Sequence, residues 1–260
     1  MYNDYESFKK DIYLLTSINL DKYKERQMKR RIDTLIAKNR ITTYSDYVEL
    51  LKGNKKYLDE FINYLTINVS EFFRNKEQWD ILANDVIPYL KKNNRGKIKI
   101  WSAACSTGEE PYSVAMLFLE HFSKDKFSIY ATDIDKNVLN KAKEGLYISR
   151  VIESVPKKYV DKHFHRKENG MYIVDDAIKK QVTFAQHDLL KDPYPQGFDL
   201  IICRNVVIYF TDNAKEDIFK RFNEALVKNG ILFVGNTEQI IHCSAMGYST
   251  FNSFFYKKTN

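Results

Sequence analysis

Over roughly the first 95 residues the apolar positions repeat with a helical period. After Leu20-Asp21, which offers a helix start, Met28, Ile32, Leu35 and Ile36 fall on one face of a segment that runs to about Lys38. That stripe is expected to be buried, with the polar positions between facing water. Further helices are expected over Tyr44–Leu51, after Thr42-Thr43, and over Tyr57–Leu65. No long stretch of this region alternates with period two.

The rest of the chain reads differently. Short apolar runs at Lys97–Trp101, Phe127–Ala131, Val182–Phe184, Phe198–Cys203 and Gly230–Gly235 have strand character. Helical patterns over 110–123, 136–145 and 212–227 separate most of them. Strands alternating with helices predict a parallel sheet covered on both faces. Residues 164–186 break the rhythm: Met171–Val174 and Val182–Phe184, with polar residues between, suggest a small antiparallel excursion. Ser253–Lys257 is expected to close the sheet as a charged edge strand.

Composition narrows the class. A chain of 260 residues allows one large domain or a medium and a small one. With 17 Phe and 18 Tyr there is too much aromatic surface for a disordered chain. No apolar run is long enough to span a membrane. The polar N-terminus, MYNDYESFKKD, has no secretory character, and Cys105, Cys203 and Cys243 lie too far apart for a paired motif. A reduced, cytoplasmic, soluble protein is expected. The net charge of +7 is concentrated: residues 22–40 carry Lys22, Lys24, Arg26, Lys29, Arg30, Arg31, Lys38 and Arg40 against Glu25 and Asp33. An acidic partner is implied.

Five segments carry candidate chemistry. The first expected strand empties into Ser102-Ala103-Ala104-Cys105-Ser106-Thr107-Gly108-Glu109-Glu110-Pro111. Small residues let a ligand approach the backbone, and Pro111 suits the first turn of a helix. Two acids suit that helix end but oppose a phosphate, and neither GxGxxG nor GxxxxGK[ST] occurs. A ligand with cationic or hydroxyl groups fits better. Asp133, 25 residues beyond Gly108 in Ala131-Thr132-Asp133-Ile134-Asp135, stands where α/β nucleotide folds hold a ribose diol, and Asp135 is placed to cap the next helix. Gln186-His187-Asp188-Leu189 follows the third strand and offers polar groups to an adenine edge. Arg204-Asn205 ends the fourth strand, at the sheet edge where ligands bind, with Tyr209 farther along. Thr66–Arg74 packs hydroxyls, an amide, two aromatics and an Arg into a linker. A diol-binding acid without a phosphate loop points to S-adenosylmethionine. His163-x-His165 has no further ligand nearby, so no metal is expected.

The stretches TINVSEFFR, WSAACSTGEEPYS, ATDID and CRNVVIYF, in this order and spacing, resemble the chemotaxis receptor methyltransferases, the CheR family. The resemblance covers essentially the whole chain. It implies an α/β fold: an N-terminal all-helical domain with linker over 1–75, then a Rossmann-like S-adenosylmethionine-dependent methyltransferase domain over 76–260, with a small antiparallel β-subdomain inserted at about 164–186. It implies methyl transfer from S-adenosylmethionine to glutamate side chains of chemoreceptors, for sensory adaptation. By matching position it implies cofactor contacts at Asn68, Ser70, Arg74, Glu110, Asp133, Asp188, Leu189, Asn205 and Val206. Arg74 and Tyr209 are expected to orient the acceptor carboxylate. Lys24, Arg26, Lys29, Arg30 and Arg31 are expected to dock on the Glu-rich cytoplasmic helices of receptors. Some family members grip a receptor C-terminal peptide with the β-subdomain; Phe164–Asp188 is short here and looks like the compact version that does without it. Product S-adenosylhomocysteine, a monomeric state and no nucleic-acid partner complete the expectation. Two other readings are a nucleic-acid methyltransferase and a cofactor-binding scaffold. Arg204-Asn205-Val206-Val207 stands where amino-methylating nucleic-acid enzymes often carry an Asn/Asp-Pro-Pro-aromatic loop, which argues against the first. Intact Arg74 and Tyr209 argue against the second.

Overall fold

The computed structural model describes residues 5–94 and 96–259. The first four residues of the N-terminal stretch, Arg95 and Asn260 lie outside the described residues. The chain forms two compact units. One holds the described residues through Asn68 together with Val207–Asp217. The other holds Val69–Val206 and the described residues from Ile218 onward.

In the first unit, α1 (Tyr5–Thr16), α2 (Glu25–Lys38), α3 (Tyr44–Gly53) and α4 (Lys55–Thr66) pack around Phe8, Ile12, Tyr47 and Phe61. The expected stripe of α2 is buried: Met28, Ile32, Leu35 and Ile36 all belong to this core. The helix starts later than Leu20-Asp21 suggested. Leu20–Lys22 makes a separate 3₁₀ turn, capped by Asn19 Oδ1, and Lys24 precedes the first α-turn. Thr43 and Asn54 cap α3 and α4 by accepting backbone N–H groups of Asp46 and Lys56, at 3.1 and 3.0 Å. The sequence-distant segment Val207–Asp217 joins this unit through backbone pairing. Tyr23 bridges Phe210, Lys24 N–H donates to Tyr209 O at 2.8 Å, and Thr211 N–H donates to Lys22 O at 2.9 Å.

In the second unit, α5 (Lys76–Ile81) and α6 (Ile87–Asn93) flank a π-turn at Leu82–Val86. The sheet then builds from β1 (Ile98–Ala103), α7 (Glu109–His121), β2 (Phe127–Asp133) and α8 (Lys136–Glu144). The chain continues through β3 (Leu146–Tyr147), α9 (Ser149–Ile152), α10 (Lys157–His163), β4 (Phe164–Arg166), β5 (Tyr172–Val174), α11 (Asp176–Lys179) and β6 (Val182–Gln186). It ends with β7 (Phe198–Cys203), α12 (Asp212–Ala225, whose residues through Asp217 belong to the first unit), β8 (Leu226–Val234), β9 (Tyr248–Asn252) and β10 (Phe255–Lys258). The main sheet has the order β6-β2-β1-β7-β8-β10-β9. Its first five strands are parallel and the last two antiparallel. This is the doubly wound α/β arrangement the alternating pattern predicted, closed by an antiparallel hairpin.

Two expectations need correction. Val182–Gln186 is not part of the small antiparallel excursion: it pairs in parallel with β2, from Ile129↔Val182 to Asp133↔Gln186. The small sheet is β3-β5-β4, and its third strand, Leu146-Tyr147, lies well before residue 164. The Ser253–Lys257 run is also not the edge. β10 sits between β8 and β9, because left-handed Phe254 (φ 66°) ends the turn of a hairpin that leaves β9 outermost.

The linker from Val69 onward is fixed by its aromatics. Phe72 is fully buried against Tyr147 and Phe164, and Phe73 stacks on Tyr159 at 4.9 Å. Phe73 and Asn75, on either side of Arg74, have φ of 50° and 61°. Such backbone is costly for these residues and persists only where surrounding contacts over-determine it. Here the contacts converge on the Arg74 carbonyl, which accepts Trp79 Nε1–H at 2.9 Å and Arg204 Nη2–H at 2.7 Å. The same Arg204 guanidinium donates to Asn75 Oδ1 at 3.1 Å and Gln78 Oε1 at 2.8 Å, and pairs with Glu110 Oε2 at 3.5 Å. It lies 4.9 Å from the Phe233 ring centroid. Removing one member of a buried pair leaves the other charge uncompensated. Arg204→Met is therefore expected to lower unfolding free energy by about 3 kcal/mol, read from urea midpoints at constant m. A loss below about 1 kcal/mol would mean that the pair behaves as a surface contact.

Candidate active site

The carboxyl ends of β1, β2 and β7 form one edge of the second unit, the edge where open α/β sheets bind ligands. The loop after β1 is compact. Ala104, Ser106 and Gly108 have φ of 61°, 50° and 95°. A Cβ on Gly108 would meet Ala142 Cβ at 3.0 Å and the Tyr147 hydroxyl at 3.2 Å, so both backbone sign and space require glycine. Tyr147 also donates its hydroxyl to Thr107 O at 2.7 Å, which ties the small sheet to this loop. Helix α7 then begins, with Ser113 Oγ donating to Glu109 O and accepting Phe73 N–H at 3.1 Å.

Three acids gather at this edge. Glu109 accepts the Thr107 hydroxyl at 2.8 and 2.7 Å and a side-chain hydrogen bond from Ser70. Glu110 accepts Ser102 Oγ–H at 2.8 Å and faces Arg204. Asp133, at the end of β2, accepts Ser106 N–H at 2.8 Å and Asp135 N–H at 3.0 Å, one on each oxygen. Burial pushes the carboxyls of Glu109 and Glu110 up, and these donors and Arg204 oppose it. Burial pushes Asp133 up to about 6. Asp135 caps α8 through Asn137 N–H at 2.8 Å, as expected, so Asp133 is not spent on capping.

Beyond β6, the Asp188 carboxylate accepts Leu190 N–H at 2.8 Å, and burial raises its pKa. Leu189 is buried, with its carbonyl accepting the Tyr194 hydroxyl at 2.9 Å. The His187 ring turns inward, 5.3 Å from the Trp101 ring, and burial lowers its pKa. Of the polar groups after the third strand, His187 is thus committed to the interior. After β7, Asn205 is left-handed (φ 60°), and the backbone N–H groups of Asn205 and Val206 both point at the Glu238 carboxylate, at 2.6 and 2.8 Å. Arg74 reaches Val69 O at 3.4 Å, a long and weak bond, and its guanidinium is partly exposed. The Cys105 thiol is buried, and burial pushes its pKa well up, which disfavours a nucleophilic role.

Asn68 and Tyr209 belong to the first unit. Asn68 Nδ2 donates to Asn63 Oδ1 at 2.8 Å and Thr66 Oγ1 at 2.9 Å. Tyr209 lies in a 3₁₀ turn, Val207–Tyr209. The five basic docking candidates differ in exposure and in partners. Arg26 and Arg30 are exposed, one turn apart. Lys29 pairs with Asp33 at 3.2 Å and lies over the Tyr44 ring. Arg31 stacks on Tyr64 and donates to its carbonyl. Lys24 is half-buried, and burial together with neighbouring Lys215 lowers its pKa.

Ser102 and Ser113, both within the singled-out loop segment, join this constellation as supports of Glu110 and of the start of α7, and Glu238 joins it from a segment the sequence did not mark. Their spacing from the loops they hold is irregular, so only the pattern Gly235-x-x-Glu238 after a buried strand hinted at the last. Chemically, the edge offers oriented carboxylates and small-residue backbone. That acceptor set suits a sulfonium, an ammonium and a ribose diol, and it repels phosphate.

Comparison with known proteins agrees with this reading. The model of the CheR methyltransferase all-alpha domain matches residues 3–66, and that of the CheR methyltransferase SAM binding domain matches residues 68–252. A chemotaxis protein methyltransferase of Listeria monocytogenes is 43% identical over 98% of this chain and 97% of its own. One from Borreliella burgdorferi is 34% identical over 89% of this chain and 86% of its own, and one from Escherichia coli is 32% identical over 89% and 82%. Together with the helical unit and the seven-stranded sheet, these matches show that the chain belongs to the CheR methyltransferase family.

Proposed function

We propose that this methyltransferase esterifies specific glutamate side chains on the cytoplasmic helices of chemoreceptors, with S-adenosylmethionine as methyl donor, in sensory adaptation. The observation that carries the reading is the near-full-length likeness to chemotaxis protein methyltransferases. The state of the site's titratable groups supports it. Glu110 and Asp133 already accept protein donors, His187 is turned inward, and the Cys105 thiol is held protonated. An acceptor suited to this site arrives already ionised. A glutamate does, with an ordinary pKa of about 4.3.

The bound cofactor supplies an electrophilic methyl on a sulfonium. Asp133, fixed by two backbone N–H groups, is placed to accept from a diol. Glu110 is the acid assigned to the cofactor's ammonium end; burial raises its pKa, and Arg204 and Ser102 oppose that rise. Asn68, Ser70, Asp188, Leu189, Asn205 and Val206 complete the cofactor set. Arg74 and Tyr209 orient the acceptor: a guanidinium binds a carboxylate through two parallel N–H groups, which presents one oxygen in a fixed direction. Arg26 and Arg30 are exposed cations of α2 and the strongest docking candidates for an acidic receptor helix.

Labelled methyl transferred to chemoreceptor-containing membranes is expected to leave as methanol on mild alkaline treatment, the behaviour of a carboxyl ester. Alkali-stable label would show methylation on nitrogen and refute the glutamate assignment. Arg74→Ala is expected to lower kcat by about 100-fold and to weaken S-adenosylhomocysteine binding far less, measured calorimetrically; equal losses would confine Arg74 to cofactor binding. Charge reversal of Arg26 and Arg30 together is expected to lower kcat/KM for receptor by about tenfold and to flatten its dependence on salt. Wild-type kinetics indifferent to salt would remove this face from docking.

A further inference from the structure

Glu238 lies 33 residues beyond Asn205, and it is 4% exposed. It ends a tight turn after β8 in which Glu238 N–H donates to Gly235 O at 2.9 Å. The turn brings the carboxylate back over the loop that follows β7. Oε2 accepts Asn205 N–H at 2.6 Å and Gly235 N–H at 2.9 Å, and Oε1 accepts Val206 N–H at 2.8 Å. Three backbone donors from two loops thus converge on one buried anion. Each bond is charge-assisted, and the distances are short.

This arrangement leaves no room at Gly235. A Cβ there would meet Glu238 Oε2 at 2.5 Å and Asn205 N at 3.0 Å. The glycine is required by the space the carboxylate fills, since its own backbone is not left-handed. Asn205 is left-handed, a conformation Asn tolerates better than most residues but still at a cost. With its N–H and that of the next residue both drawn to one acceptor, the bend has a single geometry. The consequence reaches the site. The Val206 N–H is committed to Glu238, so the contact expected of Val206 falls to its other atoms, and the Asn205 side chain is aimed by a backbone that Glu238 holds.

We propose that Glu238 is a positioning residue for methyl-donor binding: its carboxylate chelates the Asn205 and Val206 amides and sets the loop that presents these residues to the cofactor. The inference rests on the cofactor reading above. It makes Gly235 and Glu238 one device, in which the glycine keeps clear the space where the carboxylate sits. Two substitutions disturb the device from opposite sides. Glu238→Gln replaces one acceptor oxygen with a donor facing an N–H. Gly235→Ala keeps the carboxylate but forces it off Asn205 N.

Both variants, checked for cooperative unfolding, are tested against S-adenosylhomocysteine by calorimetry and in methyl transfer to receptor membranes. Each is expected to weaken S-adenosylhomocysteine about tenfold and to raise KM for the methyl donor more than it lowers kcat. A purely structural role would lower the melting temperature and the active fraction while leaving Kd unchanged, and unchanged Kd in the folded variants overturns the proposal. Hydrogen exchange on the wild-type protein decides the matter even if neither variant folds. The Asn205 and Val206 amides are expected to be protected without any cofactor; rapid exchange at both would overturn the chelation. Wild-type protein that binds no S-adenosylhomocysteine would overturn the cofactor reading itself, and this inference with it.

Discussion

The second unit depends on how one buried cation is satisfied. Burial lowers the pKa of Arg204, and a guanidinium out of water needs acceptors to offset its lost hydration. Here the two terminal nitrogens meet the Arg74 carbonyl, Asn75, Gln78 and Glu110, while Nε is left without a partner. These partners come from a linker, from helix α5 and from the start of α7, which have no regular backbone pairing with one another. The charge therefore does what a hydrogen-bond ladder does inside the sheet: it fixes elements of different origin in one register. It also holds the left-handed backbone on either side of Arg74, which local preference alone would release.

The acids at the edge follow a related logic. Glu109, Glu110 and Asp133 are all buried, and burial disfavours their charge. Each is answered by short-range donors: hydroxyls on Glu109, a hydroxyl and Arg204 on Glu110, backbone N–H groups on Asp133. The helix start at α7 adds favourable potential. Carboxylates oriented in advance in this way need no reorganisation when a cation arrives, the condition under which electrostatic recognition is strongest. A phosphate-bearing ligand meets the opposite situation, and the sequence already signalled this in the absence of a phosphate loop.

The parallel part of the sheet was legible because its strands are short apolar runs, most of them separated by helices, and because small residues and acids mark the strand ends; the outermost strand, Tyr248–Asn252, was not read. The stripe on α2 was legible because four apolar residues recur at helical spacing. The small sheet was misjudged for a physical reason. Val182–Phe184 and Met171–Val174 have the same apolar, β-branched character, and nothing local tells a strand which partner it will pair with. Leu146-Tyr147 is two residues long, too short to register as a pattern. The basic helix shows another limit: sequence counts charges, but only packing shows that Lys29 and Arg31 are committed to Asp33 and Tyr64 while Arg26 and Arg30 remain exposed. Glu238 was hard to read because two of its three backbone partners are amides 32 and 33 residues away.

The first unit is discontinuous in the chain, and this bears on its biosynthesis. Its helices up to Asn68 leave the ribosome early, but Tyr23, Lys22 and Lys24, besides their local backbone bonds, also pair with Phe210, Thr211 and Tyr209. About 140 residues of intervening chain, nearly all destined for the other unit, must be made before that pairing can form. The helical part therefore gains these pairings only after the segment that precedes α12 has been made. Its completion is timed by translation of the strand and loop that precede α12, so nascent chains carry an unfinished helical surface for most of their synthesis.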